Sequence, residues 1–183
     1  MCQKEFQGMK LIENAAGTSG GKLVDIGDLG GGSAAAYAIN DAGQVVGHSW
    51  TASGEIHPFL YSKGKMTDLG TLGSTGSGWW NSAQGVNNSG AVVGTSYDAH
   101  GNFFGFVWSQ GTMTKMGTLG GLWSQAYAIN NKGLITGSAY TRNGLAHAFI
   151  SDSSGPLKDL GTIAGASSTT WGFGINDSGV VVG

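Results

Sequence analysis

Hydrophobic and polar residues alternate along this chain in short runs separated by glycine, and the same sequence of runs keeps returning. Four segments carry the clearest copy: Tyr37-Ala38-Ile39-Asn40-Asp41-Ala42-Gly43, Gln84-Gly85-Val86-Asn87-Asn88-Ser89-Gly90, Tyr127-Ala128-Ile129-Asn130-Asn131-Lys132-Gly133 and Phe173-Gly174-Ile175-Asn176-Asp177-Ser178-Gly179. Their asparagines lie 47, 43 and 46 residues apart. Each segment leads into a β-branched run: Val45-Val46-Gly47, Val92-Val93-Gly94, Leu134-Ile135-Thr136-Gly137 and Val180-Val181-Val182-Gly183. Two such runs joined by Asn-x-x-Gly predict a hairpin, because Asn and Gly tolerate the left-handed backbone of tight turns. A third strand is predicted at His57–Tyr61, Phe104–Trp108 and His147–Ile150. A fourth is predicted at Lys65–Gly70, Thr112–Gly117, Leu157–Gly161 and, ahead of the first full unit, Lys22–Gly27.

Four short antiparallel strands in each period of mid-forties length match the specification of a propeller blade. The expected fold is therefore an all-β propeller of four blades, each of four antiparallel strands. The blades fall at 28–70, 71–117 and 118–161, and the fourth is shared between 162–183 and 1–27. A strand at Phe6–Ile12, a glycine-rich turn at Ala15–Gly21 and the run Lys22–Gly27 are expected to complete the carboxy-terminal pair. The ring then closes, removes both sheet edges and leaves a monomer. A parallel β-solenoid is the competing architecture, with shorter coils and no hairpins.

Counting back from each asparagine, the fourth residue is Ala36, Ala83, Ala126 or Gly172 and the second is Ala38, Gly85, Ala128 or Gly174. Side-chain period two then places a small face toward a central axis and the larger alternate residues between blades.

The combination Asp68-Leu69-Gly70-Thr71-Leu72-Gly73, Ala-x-Ile-Asn-x-x-Gly-x-Val-Val-Gly and His147-Ala148-Phe149 resembles the bacterial HAF-family extracellular repeat from Lys22 onward. The resemblance implies an extracellular, propeller-like repeat protein of unassigned biochemical role. The second unit departs from it, with Phe104-Gly105-Phe106 lacking the histidine and Lys115-Met116-Gly117 lacking the aspartate. Both losses argue against catalysis at those positions.

Composition narrows the function classes. Charged residues are 11 % of the chain and the net charge is −2, so there is no basic stripe for a phosphate backbone, and nucleic acid is not an expected partner. No run is long and apolar enough to span a bilayer. Met1–Lys10 lacks the apolar core of a signal peptide, so export information is expected to have been removed unless the protein stays inside. The end at Gly183 leaves open a fragment of a larger propeller. The single cysteine, Cys2, has no internal partner.

No cofactor or metal is expected. Asp25, Asp68 and Asp159 recur before a hydrophobic residue and Gly, a position suited to strand-end hydrogen bonding. Calcium wants six to eight oxygens at one point, and the ring would hold these residues apart. His57 and His147 belong to different units and His100 sits with Asp98 in a loop, so no zinc set assembles. No Gly-x-Ser-x-Gly elbow is present. A hydrolase or lyase at the ring centre, using Glu55, Asp98, His100 or Arg142, is the least supported class.

The candidate site is aromatic. Trp79, Trp80, Trp123 and Trp171 fall in the connections that precede the first strand of a unit, and Trp80 and Trp123 share one position relative to their asparagines. Indoles with a polar rim suit sugars or exposed peptide side chains. The expected function is a non-catalytic extracellular or cell-surface recognition or adhesion module, binding a glycan or a protein surface. The alternative is a structural spacer in which these tryptophans plug gaps, as Trp50 and Trp108 are expected to do.

Overall fold

The computed structural model describes residues 16–19, 22–74, 78, 80–153, 155–163 and 168–183. The strand expected at Phe6–Ile12 and the candidate Trp79 lie outside them. The fold is all-β and antiparallel. Strands β1 (Ala16–Ser19) and β2 (Lys22–Asp25) form a hairpin. The first repeat is a four-stranded meander of β3 (Gly30–Ile39), β4 (Val45–Thr51), β5 (Ile56–Ser62) and β6 (Lys65–Asp68). The second repeat has β7 (Ser82–Val86), β8 (Val92–Tyr97), β9 (Phe103–Ser109) and β10 (Thr112–Lys115). The third has β11 (Gly120–Ile129), β12 (Ile135–Thr141), β13 (Ala146–Ser151) and β14 (Lys158–Asp159). A final hairpin pairs β15 (Gly174–Ile175) with β16 (Val181–Val182).

Two expectations about the ends change. Much of the stretch expected as a turn at Ala15–Gly21 is strand β1, with Ser19 opposite Lys22 and Ala16 opposite Asp25. The shared fourth sheet is not formed among the described residues: β1–β2 and β15–β16 are separate two-stranded sheets.

The turn chemistry also differs from expectation. Glycine alone takes the left-handed conformation in the Asn-x-x-Gly hairpins, at Gly43, Gly90, Gly133 and Gly179. The asparagine works through its side chain. Asn40 Oδ1 accepts from the N–H groups of Ala42 and Gln44, Asn130 Oδ1 from Lys132 and Leu134, and Asn176 Oδ1 from Ser178 and Val180. The amide nitrogen then reaches the next repeat. Asn40 Nδ2 donates to the Asn87 carbonyl at 2.8 Å, Asn87 Nδ2 to the Asn130 carbonyl at 3.2 Å, and Asn130 Nδ2 to the Asn176 carbonyl at 2.8 Å. A parallel series joins the next residues: the N–H groups of Asp41, Asn88 and Asn131 donate to Oδ1 of Asn88, Asn131 and Asp177. Asn40, Asn87 and Asn130 thus each close their own turn and fasten it to the following one.

The first strands carry a bulge. Ala36 pairs with Gly47 and Ala38 with Val46, leaving Tyr37 without an opposite residue; Ala83/Gly85 and Ala126/Ala128 repeat the irregularity. One extra residue restores the same face after three positions instead of two. As a result, the small and large faces do not segregate as simple alternation predicts. Ala83 and Val86 both enter the core between the first and second repeats, with Val46, Leu60, Leu69, Val92 and Phe106. Ala126 likewise joins Val93, Val107, Ile135 and Phe149 between the second and third. Phe59, Phe106 and Phe149 are fully buried at equivalent positions. Backbone approach within each sheet requires Gly47, Gly94 and Gly137, where a Cβ would run into the carbonyl oxygens of Ala35, Ser82 and Gln125.

Asn87 is 4 % exposed, whereas Asn176 is exposed and its amide nitrogen donates to no next turn among the described residues. Removing the buried amide leaves the N–H groups of Ser89 and Ala91 without their acceptor and takes one of two donors from the Asn130 carbonyl. Asn87→Ala is expected to cost about 2–3 kcal/mol, and Asn176→Ala about 1 kcal/mol or less, in urea denaturation. Equal costs for the two would show that the contact between turns adds nothing.

Candidate functional site

An aromatic row crosses from the second repeat to the third. Tyr97 ends β8, Phe103 begins β9, Trp123 lies on β11 and Tyr140 on β12, while Trp80 stands just before β7. The Trp80 and Phe103 rings stack at 6.3 Å with 18° between their planes. Phe103 lies 4.4 Å from Trp123, and Trp123 lies 3.6 Å from Tyr140. Tyr97 meets Phe103 edge-on at 5.9 Å, and burial raises its phenol pKa. Local sterics shape the row: a Cβ at Gly121 would strike Tyr140 Cβ at 2.6 Å, and one at Gly78 would strike the Tyr97 ring at 2.5 Å. Gly121 lets β11 lie close against the β12 backbone at Tyr140, and Gly78 lets the segment before β7 lie against the Tyr97 ring.

The structure brings together Trp80 and Trp123 through Phe103. Trp80 is 51 % exposed. Trp123, at the equivalent sequence position, is half-buried between its neighbours in the row. Trp171 is exposed on the segment entering β15, beside a cavity of about 400 Å³ lined by Ala148, Leu160, Thr170 and Val181, and it belongs to a separate surface. Trp108 packs against the core between the first and second repeats. Sequence reading missed Phe103, Tyr97 and Tyr140. A signal existed, because Trp50, Tyr97 and Tyr140 each stand three residues after the glycine of the second strand.

The polar candidates are held in local structure. Asp25, Asp68 and Asp159 accept from the N–H groups of Gly27, Gly70 and Gly161. Asp68 and Asp159 also meet His57 Nδ1 and His147 Nδ1 at 2.8 and 2.9 Å. The second repeat replaces both partners at once: Lys115 Nζ sits 3.3 Å above the Phe104 ring. A histidine–carboxylate pair gives way to a cation–π pair at the same cross-strand position. Asp98 is a turn residue. Burial acts to raise its pKa, but the N–H groups of His100 and Asn102 and the Lys115 ammonium outweigh that and lower it. Glu55 accepts from Ser53 Oγ in the corresponding turn of the first repeat. Arg142 occupies the corresponding turn of the third, where it lies over Gly120. Glu55, Asp98, His100 and Arg142 thus sit in turns of three different sheets.

No family model and no curated protein matches this chain.

Trp123→Ala removes an indole in contact with two rings, so it is expected to cost about 2–3 kcal/mol in chemical denaturation, against less than about 1 kcal/mol for the exposed Trp80→Ala. The reverse order would assign the packing role to Trp80. A second expectation concerns His48, whose pKa is lowered by burial and whose Nδ1 lies 2.9 Å from the Tyr37 hydroxyl. The unfolded chain takes up a proton at His48 before the folded protein does, so stability falls as pH drops below the ordinary histidine value of about 6.5. His48→Gln should lose less stability than the parent between pH 7.5 and pH 5. Identical losses would remove His48 from the account.

Proposed function

We propose that this chain is a non-catalytic recognition module, built from blade-like β-repeats, that binds glycans or exposed apolar groups of a partner surface through the Trp80 end of the aromatic row. The observation that carries this reading is the disposition of Trp80. Its ring lies nearly parallel to Phe103, so one face is supported, while half of the side chain remains open to solvent. A rigid, pre-positioned indole offers stacking area at little entropic cost and an N–H for a hydroxyl. Phe103, Trp123 and Tyr140 fix its setting.

The repeats are read as an open array of propeller-like blades. The recurrent four-stranded meander, the conserved inter-repeat core and the asparagine contacts between successive turns support that reading. A ring closed within one chain would join β1–β2 to β15–β16, which stand as separate sheets. A cell-surface or extracellular location accords with the low charge density and with the resemblance to HAF-family repeats. The enzymatic reading is set aside because Asp68 and Asp159 pair across strands with His57 and His147, and Glu55 and Asp98 bond within their own turns.

A second reading, a spacer whose aromatic residues only pack, is favoured by the half-buried Trp123 against Tyr140. Affinity electrophoresis through gels containing soluble polysaccharides, alongside a glycan array, separates the two. Retardation that Trp80→Ala abolishes, in a variant that unfolds at the same denaturant concentration as the parent, is the expected result. Identical retention of parent and variant on every glycan and protein surface would overturn the Trp80 site and leave the spacer.

A further inference from the structure

We propose that the outer face of the first repeat and the face of β15–β16 are the two halves of a self-association interface, filled head to tail by a second copy of this chain. The chain itself supplies the template twice, between its first and second repeats and between its second and third. In both, a second-strand valine of the earlier repeat, Val46 or Val93, is fully buried against the first strand of the later one. The residue before the later repeat's asparagine is Val86, 9 % exposed, or Ile129, packed against the core.

At the ends the same positions lack their partners. Ile39, equivalent to Val86 and Ile129, is 66 % exposed, and Val182, equivalent to Val46 and Val93, is 64 % exposed. Ile26, just after β2, covers part of the first repeat's outer face: it packs on Val45 and Phe59, where Leu69 serves the next interface. What is left open is the place of the preceding repeat's first hairpin, and β15–β16 is a hairpin of that kind. The ladder of turns points the same way, since Asn40, Asn87 and Asn130 each donate to a following turn while, among the described residues, Asn176 does not. Its natural acceptor is the Asn40 carbonyl of the second copy. A second copy fits because, among the described residues, Ile39 and Val182 stand exposed and β1–β2 and β15–β16 form separate sheets.

One feature of this contact identifies its register. Along the ladder the residues after the asparagines pair as Asp41 with Asn88 and Asn131 with Asp177. The new contact brings Asp177 to Asp41, two carboxylates, and like charges placed directly opposite disfavour pairing. The interface is therefore weak at low salt and improved by replacing either acid with the asparagine found in the middle of the ladder.

Sedimentation velocity of the full chain, in a Cys2→Ser background, tests this. Concentration-dependent association is expected, lost in Ile39→Asp and tightened several-fold in Asp177→Asn. A mixture of Ile39→Cys and Val182→Cys chains should form a mixed disulfide under oxidation, in preference to either homodimer. A monomer at all concentrations overturns the proposal, as does an intrachain disulfide in the Ile39→Cys/Val182→Cys double variant at high dilution. Association unchanged by Ile39→Asp and Asp177→Asn overturns it equally. Both positions are solvent-exposed in the folded chain, and circular dichroism of each variant verifies that the sheets are intact.

Discussion

The amide of the hairpin asparagine holds this architecture together. A β-turn leaves several backbone N–H groups without a strand partner, and in a buried or half-buried setting each one left unpaired costs free energy. Here one side-chain oxygen takes two of them, and the nitrogen of the same side chain crosses to the next turn. Aspartate supplies the oxygen but not the nitrogen donor, and serine lacks the reach to do both. In the first three copies the residue type is thus fixed by two demands at once, while Asn176 serves its own turn; the residue after the asparagine varies between Asp and Asn. Turn closure and repeat stacking become a single structural event.

Beneath the ladder, the sheets depend on absent side chains. Gly47, Gly94 and Gly137 let the second strand lie against the carbonyls of the first, and the bulge beside each glycine turns an alanine toward the neighbouring repeat. The buried phenylalanines then fill the space this opens. Each inter-repeat core is rebuilt from the same few positions, so the energetics follow neighbouring pairs of repeats and not the molecule as a whole.

Strand order and turn positions were legible because period-two runs and glycine punctuation report directly on local backbone. The asparagine's true role was not, since propensity describes which conformations a residue tolerates and says nothing of a bond to another repeat 43 to 47 residues away. The bulge escaped notice for a related reason: it is set by Gly47 on the partner strand, and alternation counted along one strand cannot reveal it. Trp80 and Trp123 were found by their shared position, yet that position gave one an open setting and the other a packed one. The difference arises from Phe103 and Tyr140, which lie on other strands. The double replacement of His and Asp by Phe and Lys in the second repeat was visible as two losses. Only the cross-strand geometry shows them to be one exchanged pair.

Where repeats are alike, selection for packing explains them; what distinguishes one copy from another needs a separate cause. The second and third repeats differ from the first in carrying Phe103 and Tyr140 with Trp80 and Trp123, where the first has Ile56, Trp50 and Ser33. A gap between sheets is filled adequately by an aliphatic side chain, as the fully buried Ile56 demonstrates. Packing alone therefore does not require four aromatic rings in series, nor does it require the last of them to stand half in water. The half-open indole of Trp80 returns less to the fold than a buried ring would. The excess of aromatic surface at the second and third repeats, beyond what an equivalent aliphatic position such as Ile56 supplies, is the ground on which the proposed recognition surface rests.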